Sequence, residues 1–330
     1  MSHDLAGPGH GHDIHHLPEL DRRSLLVGAG VAGSLGLLSM LLKPASAFAA
    51  TSPATSLPGF AAFASSVKVI RSGKYYLVES SGLPSHNMMV GIKSWQQQVP
   101  TVKDYTGVNA WSIPTTPVIS KAPISAKNHF LRGAIALAVN GVPIFNALNN
   151  RGDDAYLAGE LDDWGGHCGK ADDYHYHVAP LHLQSIVGRT APIAYALDGF
   201  PIYGSTEPDG AKVVGLDEFN GHFDKKCKYH YHGTSSYPYI NGGFKGVVSE
   251  VDGQVSPQPS AGAYGPPGEP LRGATITGFQ KLGDNHYDLA YTLNGGIYRV
   301  NYTATLDRMT VDFIDPQGNV RNEVYQRKAR

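Results

Sequence analysis

The chain has 330 residues and a formal net charge of -1, and 42% of its residues are hydrophobic. This near-neutral balance carries no basic patch of the kind that binds nucleic acid, and the apolar content is that of an ordinary globular protein. With 39 Gly, 22 Pro and 18 Tyr, it points to a β-rich, turn-rich fold, of a length that suits one large domain or two small ones.

In chain order, the first predicted element is a targeting segment. Arg22-Arg23 precedes Ser24-Leu25-Leu26, an uncharged Gly- and Leu-rich run to Leu42, then Lys43-Pro44 and the small residues Ala45-Ser46-Ala47. Residues 1–47 resemble a twin-arginine signal peptide. The expectation is passage through the twin-arginine export machinery to the periplasm or the extracellular space. Cleavage is expected after Ala47 or Ala49, with retention as an anchor the alternative. Substrates of that route generally cross folded, and some carry cofactors inserted beforehand. The leader histidines His3, His10, His12, His15 and His16 are given no part in a mature site. Residues 48–66, rich in Ala, Ser and Pro, read as a flexible start.

A strand pair is predicted in residues 68–80 around Gly73, followed by a turn at 82–86 that offers His86 as a further candidate ligand. Trp95, Trp111 and Ile113 are candidate core residues.

The centre of the chain repeats itself. Residues 135–145, Ile-Ala-Leu-Ala-Val-Asn-Gly-Val-Pro-Ile-Phe, align with 193–203, Ile-Ala-Tyr-Ala-Leu-Asp-Gly-Phe-Pro-Ile-Tyr. Leu161-Asp162-Asp163-Trp164 then aligns with Leu216-Asp217-Glu218-Phe219, Gly166-His167 with Gly221-His222, and Lys170 with Lys225. Both series end in Tyr-His-Tyr-His, at 174–177 and 229–232. A period of roughly 55–60 residues is that of a structural repeat. Asn140-Gly141 and Asp198-Gly199 between apolar runs predict hairpins. Pro143 and Pro201 place the return strands at an edge or at an early strand position, and residues 153–160 are compatible with a short helix. The fold class expected is mainly β with short helices. It would be a single β-rich domain containing an internal duplication, two units of hairpin plus histidine strand packed about a pseudo-two-fold axis that brings the histidine strands near each other.

Alternation along a strand puts His175 with His177, and His230 with His232, on one face. With His167 and His222 upstream, each unit offers three imidazoles, a common way to build a transition-metal site. The bland alternative is a strand of stacked aromatics whose imidazoles are satisfied by hydrogen bonds. Six matched histidines would need many such partners. Asp162, Asp163, Asp217 and Glu218, and the tyrosines Tyr174, Tyr176, Tyr229 and Tyr231, are candidates to orient the ligands. His175 with Asp172 or Asp173 is a candidate acid–base pair.

Cys168 and Cys227 are the only cysteines. In an oxidising compartment they are expected to form a disulfide, worth about 4 kcal/mol in the chain-entropy account for a loop of this size; metal ligation by a thiolate is the alternative. Residues 251–273 read as a Pro/Gly-rich loop. Residues 274–330 read as a β-hairpin region of the same domain, with a hairpin about Asn294-Gly295-Gly296, a strand at 309–314 and a polar tail from Asn319 free to fray.

The segments 140–145, 164–169, 174–177 and 197–204, together with the second histidine string and Tyr237-Pro238-Tyr239, resemble the YHYH domain family. The resemblance runs from about Tyr75 to Gly246, within a domain expected at 67–250 that holds the repeats at about 134–177 and 192–232. It implies a domain type and the importance of these residues, and no reaction. No Gly-x-Ser-x-Gly elbow, P-loop or dinucleotide fingerprint accompanies it. The leading expectation is therefore an exported, histidine-rich metal-binding protein with zinc or copper as cofactor. A metal-dependent hydrolase, a copper redox enzyme, and a non-catalytic β module that binds a small molecule, carbohydrate or surface stand as alternatives.

Overall fold

Gly73, at φ 55°, marks the reversal between the first two described strands. β1 (Val67–Ser72) and β2 (Tyr75–Ser80) pair antiparallel across it, with Ser72 opposite Tyr75. Val67 and Val69 alternate inward on β1 while Lys68 points out, as on a strand with one wet face. β3 (Trp111–Pro114) joins β2 and buries Trp111 and Ile113. β4 (Ile119–Ser125) follows, mostly exposed. This computed structural model describes residues 57–327, apart from Ser94, Pro266 and Pro267. The export signal and its cleavage site lie outside the described residues. Residues 57–66, expected as a flexible start, instead include a 3-10 turn at Phe60–Phe63, with Phe60 buried and stacked on Tyr195 at 5.8 Å.

The repeated segments build one eight-stranded sheet. Its strands are β5 (Ala134–Ala138), β6 (Pro143–Phe145), β7 (Gly166–Cys168) and β8 (Tyr174–Tyr176). After the short helix α1 (Gln184–Val187) come β9 (Ala194–Ala196), β10 (Pro201–Tyr203), β11 (Gly221–Phe223) and β12 (Tyr229–His232). The order across the sheet is β11-β12-β10-β9-β5-β6-β8-β7. From the central β5–β9 pair outward, each side runs through a hairpin partner, a parallel strand and an antiparallel edge strand. The apolar strands take the centre because burial is most favourable there; every residue of β5 is fully buried, and Ala136 faces Ala196 across the pair. Both predicted hairpins form. Pro143 and Pro201 each open a strand, inside the sheet rather than at its edge.

This order corrects the expectation that the histidine strands lie together. β6, β5, β9 and β10 stand between β8 and β12, because the small, apolar strands meet and the Tyr-His-Tyr-His strands are left outside them. Residues 153–160 form turns instead of a helix: one bond from Ala158 N to Asp154 O closes a turn, and Gly159, at φ 70°, ends it.

The expected disulfide is also absent. Cys168, on β7, is buried in the core, whereas Cys227 is exposed in the turn between β11 and β12, at the other edge of the sheet, and both are free thiols. A bridge needs Cα atoms within about 7 Å. A thiol reagent is accordingly expected to label one cysteine, Cys227, in the native protein and both after denaturation. A native protein that labels at neither position, and at both only after reduction, would restore the disulfide.

β13 (Gly243–Gly246) pairs with β4, and β14 (Ser249–Val251) and β15 (Gln254–Ser256) form a hairpin at the start of the expected loop. The described residues from 257 to 274 hold no strand or helix. β16 (Thr275–Gly283), β17 (His286–Leu293), β18 (Gly296–Ala304), β19 (Arg308–Ile314) and β20 (Val320–Gln326) then form a five-stranded meander. The tail expected to fray is thus β20, paired with β19 from Ile314–Val320 to Arg308–Gln326. Its polar sequence reflects an open edge, and Asp315 nucleates the turn before it by accepting from the amides of Gln317 and Asn319. The described residues as a whole are mainly β, with one short α-helix and several sheets.

Candidate metal centre

Each histidine strand is half of a tight hairpin. β7 and β8 place His167 opposite His175, and β11 and β12 place His222 opposite His230. The glycine before each first histidine has a packing reason. A Cβ on Gly166 would sit 2.5 Å from the Tyr174 hydroxyl, and one on Gly221 would sit 2.0 Å from that of Tyr229. The bare backbone lets each phenol pass and donate to a carboxylate: Tyr174 to Asp162 Oδ2 at 2.8 Å, and Tyr229 to Asp217 Oδ2 at 2.9 Å.

The tyrosines and histidines take opposite faces of their strands. Tyr176 accepts from Asn140 Nδ2, and Tyr231 donates to Asp198 Oδ2 at 2.6 Å. Asp162 also accepts from the amides of Met89, Trp164 and Gly166, and Asp217 from those of Phe219 and Gly221. These residues hold hairpins and tyrosines rather than orienting imidazoles, which corrects their expected role. Asp163 and Glu218 are exposed. His86 joins neither cluster; it stacks on Trp164 at 4.6 Å, and its Nε2 lies 2.6 Å from the Tyr176 hydroxyl. Asp173 does reach a histidine, with Oδ2 3.5 Å from His175 Nδ1.

On the histidine face the rings converge. His177 Nε2 lies 3.0 Å from His167 Nε2 and 3.2 Å from His175 Nε2. The far nitrogens are tethered: His177 Nδ1 donates to the carbonyl of Asn146 at 2.5 Å and His175 Nδ1 to that of Asp173 at 2.9 Å, while His167 bonds the backbone of Glu160. Phe145 stacks on His175 at 3.8 Å and braces it. In the second unit His230 Nε2 lies 3.1 Å from both His222 Nε2 and His232 Nε2. His222 Nδ1 donates to Val214 O and His232 Nδ1 to Gly204 O.

A carbonyl oxygen only accepts, so each tethered Nδ1 carries a hydrogen, and in the neutral ring this leaves Nε2 with the lone pair. Burial works in the same direction. It lowers His177 to about 3 and His167 well below the usual imidazole value, with neighbouring histidine charge adding to the effect in both. It lowers His232 too, against the opposing bond to Gly204. These are neutral imidazoles, the form that ligates metal.

A fourth residue completes the second cluster. Glu207 Oε1 lies 3.0 Å from His222 Nε2 and 3.6 Å from His232 Nε2, and Oε2 lies 3.3 Å from His230 Nε2. The sequence reading missed it. The signal was present: Glu207 follows Tyr203 by four residues, as Asn149 follows Phe145, so extending the alignment past the return strand reaches it. Glu207 with His222, His230 and His232, and His167 with His175 and His177, are two groups with ligand atoms close enough to hold a metal ion.

The fold and these clusters define a mainly β domain equipped to coordinate metal. The chain contains a YHYH domain over residues 110–213, matching the family described as YHYH protein. The match is narrower than the resemblance from Tyr75 to Gly246. It takes in the first histidine cluster and Glu207 and ends before His222. Neither a curated protein nor a solved structure matches the chain.

Proposed function

We propose that this is an exported metal-binding protein in which each Gly-His…Tyr-His-Tyr-His unit holds one transition-metal ion through three imidazoles. The observation that carries the reading is the meeting of the Nε2 atoms of His167, His175 and His177, at 3.0 and 3.2 Å from His177, while the Nδ1 atoms of His175 and His177 donate to carbonyls. Three acceptors that close repel one another unless a cation lies among them. Nitrogens bound tetrahedrally at about 2.0–2.1 Å from zinc are about 3.3 Å apart, close to the spacing here. Structural histidines would instead pair each Nε2 with a donor.

Imidazole ligands suit zinc and copper, and the carboxylate of Glu207 is compatible with zinc. The mirrored strand order on either side of the β5–β9 pair supports an internal duplication about a pseudo-two-fold axis, with units at about 134–177 and 192–232 inside a domain at 67–250. The twin-arginine pattern of residues 1–47 supports export to the periplasm or beyond, and with it transport of an already folded, loaded protein.

The test is metal analysis by mass spectrometry on protein recovered after export and purified without a histidine tag. Two equivalents per chain are expected in the wild type and none in a folded variant with His175, His177, His230 and His232 replaced by Ala. A folded wild type that neither carries nor takes up metal overturns the reading.

A further inference from the structure

The two clusters differ in one ligand and in what lies in front of them. In the second, Glu207 spans all three imidazoles with its two oxygens. In the first, Asn149 stands at the corresponding place, three residues beyond the carbonyl that tethers the last histidine, Asn146 in one unit and Gly204 in the other. Its carboxamide is turned away into its own loop. Oδ1 accepts from the amides of Arg151 and Asp153 at 2.9 and 3.1 Å, and Nδ2 donates to Glu160. Glu160 is itself held by Arg151. Among the described residues, no His, Cys, Asp or Glu side chain joins His167, His175 and His177 as a fourth ligand. These three rings instead line a cavity of about 640 Å³.

The cavity has a volume that accommodates a small organic molecule. Its charged lining consists of Arg132, Arg151 and Lys170 against Glu160 and Asp173. Three cations face two carboxylates, so a divalent ion among neutral imidazoles leaves the space net positive. Structural metal sites are closed by four protein ligands, whereas sites that exchange ligands keep three and an open position.

We propose that the two sites are not equivalent: the Glu207 site is closed and structural, while the His167 site keeps a coordination position open to the cavity and takes a small organic carboxylate as its fourth ligand. This rests on the metal-binding reading above. The carboxylate supplies the oxygen donor that Glu207 supplies from within the chain at the other site, and the cavity's excess positive charge draws it in.

Cobalt(II) tests this, because its visible bands respond to a change of ligand. The full mature chain is loaded with cobalt and titrated with azide and, separately, acetate. One of the two bound cobalt ions is expected to respond. In Glu207→Ala both should respond. In Asn149→Glu neither should, with cobalt content unchanged. The His230→Ala/His232→Ala protein, left with the open site, should respond fully, and the His175→Ala/His177→Ala protein not at all. Cobalt bound at both sites with an equal response, or with none, overturns the proposal and leaves the metal-binding reading standing. Failure to bind cobalt at either site overturns both. The Glu207 and Asn149 variants retain all six histidines, so the comparison survives if a histidine pair proves necessary for folding.

Discussion

Chelation is expected to lower the melting temperature of the mature protein by on the order of 12–16 °C. At free metal about a thousand times Kd, each of the two sites stabilises the folded chain by about 4 kcal/mol, and because the unfolding entropy grows with chain length roughly 1.5–2 °C accompanies each kcal/mol in a chain longer than 250 residues. The loss has a defined location. Without a cation, three imidazole nitrogens are crowded together in each cluster, and the β7–β8 and β11–β12 hairpins that hold them are the outermost strands of the sheet. Hydrogen exchange should therefore quicken at residues 166–177 and 221–232 while the buried β5 and β9 stay protected. The clusters share no ligand, so their contributions should be additive. His175→Ala/His177→Ala should lose one metal equivalent and about half the chelator effect, and His230→Ala/His232→Ala the other half. Scanning calorimetry with and without chelator reads the effect. An unchanged melting temperature in protein shown to have carried metal would mean that the ions sit on a scaffold already complete without them.

The second large effect is expected at Asp162. Its carboxylate is buried and accepts from four donors: the amides of Met89 at 2.8 Å, Trp164 at 2.9 Å and Gly166 at 3.0 Å, and the Tyr174 hydroxyl at 2.8 Å. Asp162→Ala strands these donors away from water, at a cost of roughly 3–5 kcal/mol. It also frees the β7 hairpin and Tyr174, so the first cluster should lose metal affinity although no ligand has changed. Asp217→Ala is the internal comparison. Asp217 is only partly buried and accepts from the Phe219 and Gly221 amides and the Tyr229 hydroxyl, so water can replace part of what is lost and roughly half the destabilisation is expected. Urea titrations of the two variants in chelator measure the difference. Equal and small losses would show that tyrosine packing, not the carboxylate, holds these hairpins.

Much of the histidine site was legible because its information is local. A two-residue period along one strand is enough to put His175 with His177 and His230 with His232, and the repeated Gly-His pairs supplied the third ring of each set. The Asn-Gly and Asp-Gly hairpins and the β17–β18 reversal were legible for the same reason. The roles of the aspartates were not. Asp162 and Asp217 precede the histidines in both units, and proximity in sequence resembles proximity in space. Only the pleat shows that they serve the tyrosines on the other face.

What the sequence by itself determined is therefore the content of the two units: the hairpins, the alternation and the six imidazoles. Tertiary structure decided how those units meet. β5 and β9 alternate alanine with Ile135, Leu137 and Tyr195 and are buried throughout, so they take the middle of the sheet, and the histidine strands and the two cysteines are carried outward on either side. That arrangement makes two clusters rather than one and keeps the thiols apart. It also decided the fourth position of each cluster, since Glu207 reaches its histidines across a loop closure, while Asn149, at the same place in the other unit, is held back by hydrogen bonds within its own loop.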